Sequence, residues 1–447
     1  MPTVNNAQVN SAIISSAHIL KGAADDYDAL MQQIGDARIV LLGEASHGTY
    51  EFYRERATIT QRLIAEKGFA GVAVEADWPD AYRVNRYVRN MSRDRSSVQA
   101  LSGFARFPTW MWRNTEVVRF VEWLRAYNDG LASPSAKVGF YGLDLYSMFT
   151  SIEAVLGYLQ SVDPEAAKRA RARYACFDHY HEDSQSYGYA AAYGISLSCE
   201  NAAIEQLRDM QANRFGALES EGNYSDELFY ARQNAILVKN AEEYYRTMFR
   251  GRVSSWNLRD SHMSETLDAL ASHLSRTDKP AKIVVWEHNS HVGDARATEI
   301  GQQGEWNVGQ LAREKHGGDT YMVGFTTHHG MVTAATDWNE PAERRRVRPG
   351  IAGSYEDLFH RAGIPAFMLL LRGDKNLESL LSQPRLERAI GVIYRPETER
   401  QSHYFHADLP RQFDAVIHID ETRAIEPLER TSNWETGEVA ETYPFGV

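Results

Sequence analysis

The residues best suited to chemistry are carboxylates and histidines that follow four apolar runs of the sequence. They are Glu44 and His47 after the first run, Glu75 and Asp77 after the second, Asp144 after the third, and Glu287, His288 and His291 after the fourth. A charged group at the end of a buried strand is unfavourable unless it is paired or has a function. Because the pattern recurs four times, we predict that these groups meet in one site.

A histidine beside carboxylates is well suited to activate water. Neutral imidazole takes up a proton near physiological pH, and a neighbouring carboxylate fixes its tautomer and stabilises the imidazolium that forms. An arginine or a second histidine can then stabilise a developing oxyanion. The pattern predicts direct hydrolysis of an ester or lactone, with no covalent intermediate and no cofactor. A divalent metal held by the same acids and histidines would instead lower the pKa of water, and the sequence leaves both mechanisms open.

Other catalytic motifs do not fit this sequence. It contains no G-x-S-x-G nucleophile elbow, no G-x-G-x-x-G dinucleotide motif and no H-E-x-x-H zinc motif. The stretch 43–48 begins like a P-loop, but Thr49 stands where the phosphate-binding lysine is required. Nucleophilic-serine, nucleotide-binding and zincin chemistry are therefore not expected.

Some of these acids also have a purely structural interpretation. Asp77 precedes Trp78 and Pro79, and aspartate followed by proline is typical of a helix N-terminus, so we predict that Asp77 is an N-cap. Glu44 can equally serve as a cap or as a brace for a nearby arginine.

The elements that must position these residues are short buried strands joined by helices. Eight apolar runs predict strands, namely 38–42, 71–74, 137–141, 282–286, 321–325, 366–371, 389–394 and 415–419. We predict an α/β fold with a mostly parallel sheet in two halves, 1–146 and 276–447, and a large helical lobe, 147–275, inserted between them. Ligands bind such sheets at the carboxyl ends of the strands, which is where the acids and histidines fall. The lobe either covers this cleft or only pads the sheet.

Two predicted helices carry an arginine on their apolar face. Phe52, Ile59 and Leu63 form the stripe of the first helix, and Arg56 falls on it. We expect Arg56 to face inward and pair with the carboxylates, the alternative being that it reaches water along the sheet. In the later helical segment that contains Trp256, Met263 and Leu267, Arg259 or Asp260 falls on the apolar stripe.

Substrate contacts are expected from polar and aromatic residues near the same strands. We assign this role to Asp144, Arg259, Trp110 and Tyr146. The aromatic residues either line a wide pocket for a bulky apolar substrate or belong to the core.

Composition limits the class of partner. The formal net charge is −12, which argues against nucleic acid or an anionic membrane as the main partner and favours a small-molecule ester. No run approaches the roughly 18 apolar residues that a membrane span needs. The N-terminal stretch lacks the features of a signal peptide, and two cysteines make no disulfide framework, so we predict a cytoplasmic protein. The oligomeric state is not indicated.

Taken together, several motifs closely resemble the erythromycin esterase family, which also includes succinoglycan biosynthesis proteins. The opening motif is LGEASHGTYEFYRERATITQRLIAEKGFAGVAVEADWPDAYRVNRYVR, and FYGLDLYS, NLRDSHMSETL, KIVVWEHNSHVGDAR and GSYEDLFH follow in the same order. The resemblance spans roughly residues 15 to 430 of the chain.

The resemblance implies an α/β fold with a helical lobe beside an active-site cleft. It also implies hydrolysis of the macrolactone ester of erythromycin-like antibiotics by activated water, an activity that confers antibiotic resistance. The family's catalytic residues fall on His47, Glu44, Glu75, Arg56, His288 and His291. Two other functions stay open, a metal-dependent hydrolase using the same residues and a non-catalytic accessory protein of polysaccharide biosynthesis.

Overall fold

The computed structural model describes residues 6–180, 183–212, 223–249, 251–275 and 279–436. Its strands are β1 His18–Ile19, β2 Ile39–Leu42, β3 Gly71–Asp77, β4 Gly139–Asp144, β5 Ile283–Trp286, β6 Thr320–Thr326, β7 His329–Ala334, β8 Glu343–Val347, β9 Ala366–Leu370, β10 Arg385–Arg388, β11 Tyr404–Ala407, β12 Ala415–Ile419 and β13 Glu421–Thr422.

Eight of these strands form one sheet in the order β1-β9-β12-β6-β2-β5-β3-β4. All pairs from β12 to β4 are parallel, whereas β9 is antiparallel to both β1 and β12. The central strands β2, β3, β4, β5 and β6 are buried along their whole length, as expected for apolar strands covered on both faces. The predicted α/β fold with a mostly parallel sheet is confirmed.

Strands from the two predicted halves interleave in this sheet. β5, which follows the helical lobe in sequence, lies between β2 and β3, which precede it. Leu42 and Val74 are both opposite Trp286 at the end of β5. This register places the residues that follow β2, β5 and β3 side by side.

Twenty α-helices surround the strands within the described residues. They are α1 Asn6–Ser16, α2 Asp28–Ile34, α3 Tyr50–Lys67, α4 Trp78–Val88, α5 Ser97–Ala100, α6 Thr115–Asp129, α7 Met148–Val162, α8 Pro164–Tyr174, α9 Ser184–Ala192, α10 Glu200–Ala212, α11 Asn223–Thr247, α12 Arg252–Leu274, α13 Asn289–Val292, α14 Glu299–Gln302, α15 Val308–His316, α16 Tyr355–His360, α17 Lys375–Leu381, α18 Glu399–Ser402, α19 Leu409–Gln412 and α20 Ser432–Thr436.

The helical lobe consists of α7 to α12. It packs on the β4 side of the sheet, where α11 contacts α4 and α12 contacts β4. Trp78 at the start of α4 stacks on Tyr141 of β4 and on Tyr230 of α11, with ring centroids 6.0 and 6.2 Å apart. These apolar contacts tie the lobe to the sheet beside the carboxyl ends of its strands.

The strand predicted over 389–394 is wrong. Ile390 and Ile393 make isolated bridges to Ser46 and Ala335 instead of joining a sheet. Ile390 and Tyr394 pack into a small separate cluster with residues of β7 and β8, so the apolar run reflects burial in that cluster. Two small sheets, β10-β11 and β13-β7-β8, were not predicted.

The two cysteines form a disulfide. Cys176 and Cys199 are bonded across 23 residues within the helical lobe. This single bridge is compatible with the absence of a disulfide framework in the sequence. Within the described ranges, no helix is both long enough and apolar enough to cross a bilayer.

Replacing both cysteines by serine should destabilise the oxidised protein. Closing a loop of this length restricts the unfolded chain by roughly 3 kcal/mol at room temperature. Urea unfolding of the Cys176→Ser/Cys199→Ser variant measures the loss, with the reduced wild-type protein as the control. Equal stability of oxidised and reduced wild type would contradict the prediction.

Candidate active site

The loop after β2 is fixed by close packing at both of its glycines. A Cβ atom on Gly43 would lie 2.1 Å from Oδ1 of Asn289, and one on Gly48 would lie 1.8 Å from the carbonyl oxygen of Thr333. The backbone N–H of Asn289 donates to the carbonyl oxygen of Glu44 over 2.9 Å. Only glycine allows this approach, so the loops that follow β2 and β5 have a fixed relative position.

His47 is oriented by a buried carboxylate. Its Nδ1 lies 2.9 Å from Oε1 of Glu44, and Oε2 of Glu44 accepts a 2.6 Å hydrogen bond from Nη2 of Arg56. Glu44 and Arg56 are 2% and 0% exposed. Because Glu44 occupies Nδ1 of His47, Nε2 is the nitrogen left for proton transfer.

Arg56 faces inward as predicted but does not line the cavity described below. Its guanidinium lies over the rings of Tyr53 and Trp286, 4.5 and 5.1 Å from their centroids. Among the acids, Glu44 is the described partner of Arg56, as the expected pairing with a carboxylate implies.

Glu75 connects three functional groups. Its Oε2 accepts a 3.0 Å hydrogen bond from the backbone N–H of His288, and its Oε1 accepts one of 2.8 Å from Nη2 of Arg259. Nε2 of His291 lies 3.5 Å from the same oxygen. Burial raises the pKa of Glu75, but His291, His47 and Arg259 outweigh it and hold the pKa far below its usual range. Glu75 is therefore an ionised anchor.

His288 lies beside His47, with ring centroids 4.9 Å apart. Its Nδ1 accepts a 3.2 Å hydrogen bond from the backbone N–H of Ser290, which requires the proton of the neutral ring to be on Nε2. Nε2 is buried and makes no hydrogen bond of good geometry with a described residue, although the nearby backbone of Ala45 raises the pKa of the ring. Burial and the neighbouring His47 keep the pKa of His288 well below its usual value. His288 is therefore a neutral ring beside His47.

Arg259 and Asp144 form a two-pronged ion pair. Nε and Nη2 of Arg259 donate to the two carboxylate oxygens of Asp144 over 2.9 and 2.7 Å. The guanidinium lies 4.9 Å from the ring centroid of Tyr146. The structure thus brings three of the four predicted substrate-binding residues together, and Arg259 joins them to Glu75.

His291 is held by Asp260. Either Arg259 or Asp260 was predicted on the inward face of α12, and both side chains face inward. Nδ1 of His291 lies 2.8 Å from Oδ1 of Asp260, and the ring stacks on Trp256 with centroids 4.6 Å apart. Burial lowers the pKa of His291, but Asp260 and Glu75 outweigh it and raise the pKa to about 9. The stacking of Trp256 was not predicted.

Glu287 does not join the site. It is fully buried, and neither of its carboxylate oxygens has a hydrogen-bond partner in the part of the chain that the structure describes. Burial raises the pKa of Glu287 well above its usual value. It is therefore a neutral acid beneath the loop.

The cavity over these residues has a volume of about 570 Å³. His47, His288 and His291 lie on its wall, and its apolar lining includes Phe107, Met111, Trp112, Tyr146 and Trp338. Trp110 does not line it. This residue lies in a short 3-10 helix with its side chain in the hydrophobic core, and the next turn of backbone presents Trp112 instead. The assignment of Trp110 to substrate binding is corrected accordingly.

Asp77 occupies the N-cap position of α4, with Pro79 in the first turn, but its side chain makes no capping hydrogen bond. Oδ2 of Asp77 accepts a 2.9 Å hydrogen bond from Nε of Arg106 instead, and Arg106 lines the cavity. Asp77 therefore has the predicted N-cap position but not the capping hydrogen bond, because Arg106 binds its carboxylate. No pattern in the sequence indicated that Arg106 lies at the cavity.

Nδ1 of His47 is bound to Glu44 and Nδ1 of His291 to Asp260, which leaves Nε2 of each ring as its possible metal ligand. Both oxygens of Glu75 already accept hydrogen bonds from the protein. Within the described residues, one group of three side chains converges closely enough to bind a metal ion, and it lies outside the cavity.

Loss of His291 should destabilise the protein below neutral pH. The pKa of His291 is raised in the folded state from 6.5 to about 9, so its stabilisation is complete below 6.5 and is lost as pH rises through about 9. We expect the unfolding free energies of wild type and His291→Gln to differ by about 3 kcal/mol more at low than at high pH. Urea unfolding near pH 6 and pH 10 measures this. A constant difference across this range would contradict the prediction.

Comparisons with known proteins agree with this fold. A family model described as erythromycin esterase matches residues 64–422. Erythromycin esterase type II from Escherichia coli is 22% identical over 426 residues, which cover 90% of this chain and 94% of that protein.

Solved structures show the same fold. A succinoglycan biosynthesis protein is 20% identical with a TM-score of 0.77, covering 95% of this chain and 100% of that chain. A mutant of the erythromycin esterase EreC in its open conformation is 16% identical with a TM-score of 0.66, covering 92% and 96%. Since the family model matches most of the chain, the protein belongs to the erythromycin esterase family.

Proposed function

We propose that this protein hydrolyses a carboxylic ester or lactone with a water molecule that His47 deprotonates, without a covalent intermediate. Membership of the family supports a hydrolase. The observation that carries the mechanism is the pair of imidazoles on the cavity wall, because one is arranged to accept a proton and the other to donate a hydrogen bond. The matched family range begins after His47, so the role of this residue is argued from its contacts.

His47 acts as the general base. Glu44 accepts the Nδ1 proton of His47, which leaves Nε2 unprotonated and able to take a proton from water. The imidazolium that forms is stabilised by the same carboxylate, which Arg56 holds in place. The proton then passes to the leaving alkoxide, so that an acid and an alcohol are released.

His288 stabilises the oxyanion. A neutral Nε2–H donor can bind the negative oxygen that develops when hydroxide attacks the ester carbonyl. Glu75 fixes the backbone of His288, and Arg259 and His291 fix Glu75. These residues act by positioning, because their polar atoms are largely occupied by one another.

An erythromycin-type macrolide is the leading candidate substrate. A cavity of about 570 Å³ falls in the range of pockets that enclose a bulky small molecule, and its aromatic wall suits an apolar ring. The relative from Escherichia coli carries the name erythromycin esterase type II.

The proposal is tested by incubating the purified protein with a panel of macrolides and simple aryl esters. We expect the mass of at least one substrate to increase by that of one water, and this gain should vanish in His47→Ala. The reaction should persist after the protein is treated with a chelator. Hydrolysis that disappears on chelation and returns with a divalent ion would overturn the direct mechanism in favour of a metal-dependent one.

A further inference from the structure

A cluster of four histidines and one aspartate lies outside the cavity, at the carboxyl ends of β6 and β12. We name it the histidine cluster, and it consists of His328, His329, His360, His418 and Asp420. None of these five residues lines the cavity. The proposed hydrolysis does not use these side chains.

We propose that His328, His329 and Asp420 bind a divalent transition-metal ion. Nδ1 of His328 lies 3.0 Å from Nδ1 of His329. One ligand atom from each of the three residues falls within 4.8 Å of the others. Two imidazoles and a carboxylate are a ligand set that zinc accepts, with a fourth position left for water.

The separation of the two histidine nitrogens needs little change to accommodate zinc. Two nitrogen ligands at 2.0–2.1 Å from a tetrahedral zinc ion lie about 3.3 Å apart. The two Nδ1 atoms are a few tenths of an ångström closer than that, which a small rotation of the half-buried His329 corrects. Without a cation, one of these nitrogens must carry a proton and donate to the other, whereas metal binding requires both rings to be protonated on Nε2.

Asp420 is oriented by the two remaining histidines. Nδ1 of His360 lies 2.8 Å from Oδ1 of Asp420, and Nε2 of His418 lies 3.3 Å from the same oxygen. His360 also stacks on His328, with ring centroids 3.8 Å apart. Hydrogen-bonded partners of this kind fix the ligands of many protein metal sites and increase their affinity.

The backbone holds the ligands together before any metal binds. The N–H groups of His328 and His329 both donate to the carbonyl oxygen of Asp420, over 3.2 and 3.1 Å. Nη1 of Arg388 donates to the carbonyl oxygen of His328 over 3.1 Å. Since His329 is half-buried and the Asp420 side chain is 22% exposed, an ion can enter from solvent.

A metal here would brace the loop that carries His47. His329 begins β7 and Asp420 immediately precedes β13, and these two strands pair in parallel. Further along the same segments, the N–H groups of Thr333 and Ile425 both donate to the carbonyl oxygen of Gly48, over 3.0 and 2.8 Å. The ion would therefore act as a structural cross-link between two segments that support the catalytic loop, and not as a participant in hydrolysis.

Zinc titration tests this inference directly. Full-length protein is freed of metal with a chelator, dialysed and titrated with zinc chloride in a calorimeter. We expect saturable uptake of one zinc ion per chain, with affinity at least tenfold weaker in His329→Gln and in Asp420→Asn. A rise in melting temperature on addition of zinc should be lost in the same two variants.

Two control variants make the result specific. His316→Ala removes a half-buried histidine that is bonded to Asp268 over 2.9 Å, outside both the cavity and the histidine cluster, so it should bind zinc like wild type. His47→Ala should also retain full uptake. Loss of uptake in His47→Ala with retention in His329→Gln would overturn the inference and place the metal among the catalytic residues.

Cobalt spectroscopy tests the site in the wild-type protein, so its result does not depend on whether a variant folds. Cobalt(II) added to the metal-free wild type should give visible absorption bands of a low-coordinate site that bleach when zinc is added. Absence of both cobalt bands and saturable zinc uptake in the wild type would overturn the proposal and leave the two histidines joined by a simple hydrogen bond. Zinc uptake that is unchanged in both ligand variants would overturn it equally.

Discussion

His47→Ala should lower kcat for ester hydrolysis by about 10²–10⁴-fold, the contribution expected of a general base. The variant loses the nitrogen that takes the proton from water, while the cavity wall around it stays in place. Single-substrate kinetics on the best ester from the macrolide and aryl-ester panel measure the effect. KM should change little, because the imidazole acts on water and not on the bulk of the substrate.

Two further variants separate catalysis from folding. Glu44→Gln keeps the shape of the carboxylate but removes its charge, so kcat should fall less than in His47→Ala. His316→Ala removes another histidine that is bonded to a carboxylate, outside the cavity, and should hydrolyse like wild type. A His47→Ala protein with a wild-type melting temperature and full activity would remove His47 from the mechanism.

His288→Phe should lower kcat by about 10²–10³-fold, as expected when one donor to an oxyanion is lost. Phenylalanine retains a ring beside His47 but has no N–H to bind the developing charge. The ratio of the kcat values of wild type and variant measures this, and KM should again be nearly unchanged.

Ser290→Ala provides a graded comparison for His288→Phe. Oγ of Ser290 lies 2.8 Å from Nδ1 of His288, but the backbone N–H of Ser290 still donates to that nitrogen in the variant. The tautomer of His288 is therefore retained, and we expect kcat to fall less than tenfold. If His288→Phe lost no more activity than Ser290→Ala, the oxyanion role of His288 would be rejected.

Most of the buried strands, and the acids and histidines that follow them, were predicted from the sequence alone. Apolar runs rich in valine, isoleucine and leucine predicted buried strands. Acids or histidines at the ends of these runs indicated the residues of the site. The inward position of Arg56 followed from the 3.6-residue period of the helix. Glu44 and His47 are only three residues apart, so their contact is set largely by one short loop.

The partners of the other residues depended on the tertiary structure. Glu75 binds the backbone of His288, which is 213 residues away, because β5 lies beside β3 in the sheet. Arg259 binds Asp144 because the helical lobe packs next to β4. An apolar run indicates that a strand is buried but carries no information about which strand lies next to it.

The lack of information about neighbouring elements also explains which residues were assigned wrongly or were missed. Trp110 and Trp112 are equally aromatic, and only the direction of one short turn decides which of them faces the cavity. His328-His329 is an ordinary pair in sequence, and Asp420 joins it because β6 and β12 are neighbours. Sequence thus determined the types of residue at the strand ends, since burial and periodicity are local properties, whereas strand order and side-chain direction, which depend on packing of the whole chain, decided which of them meet.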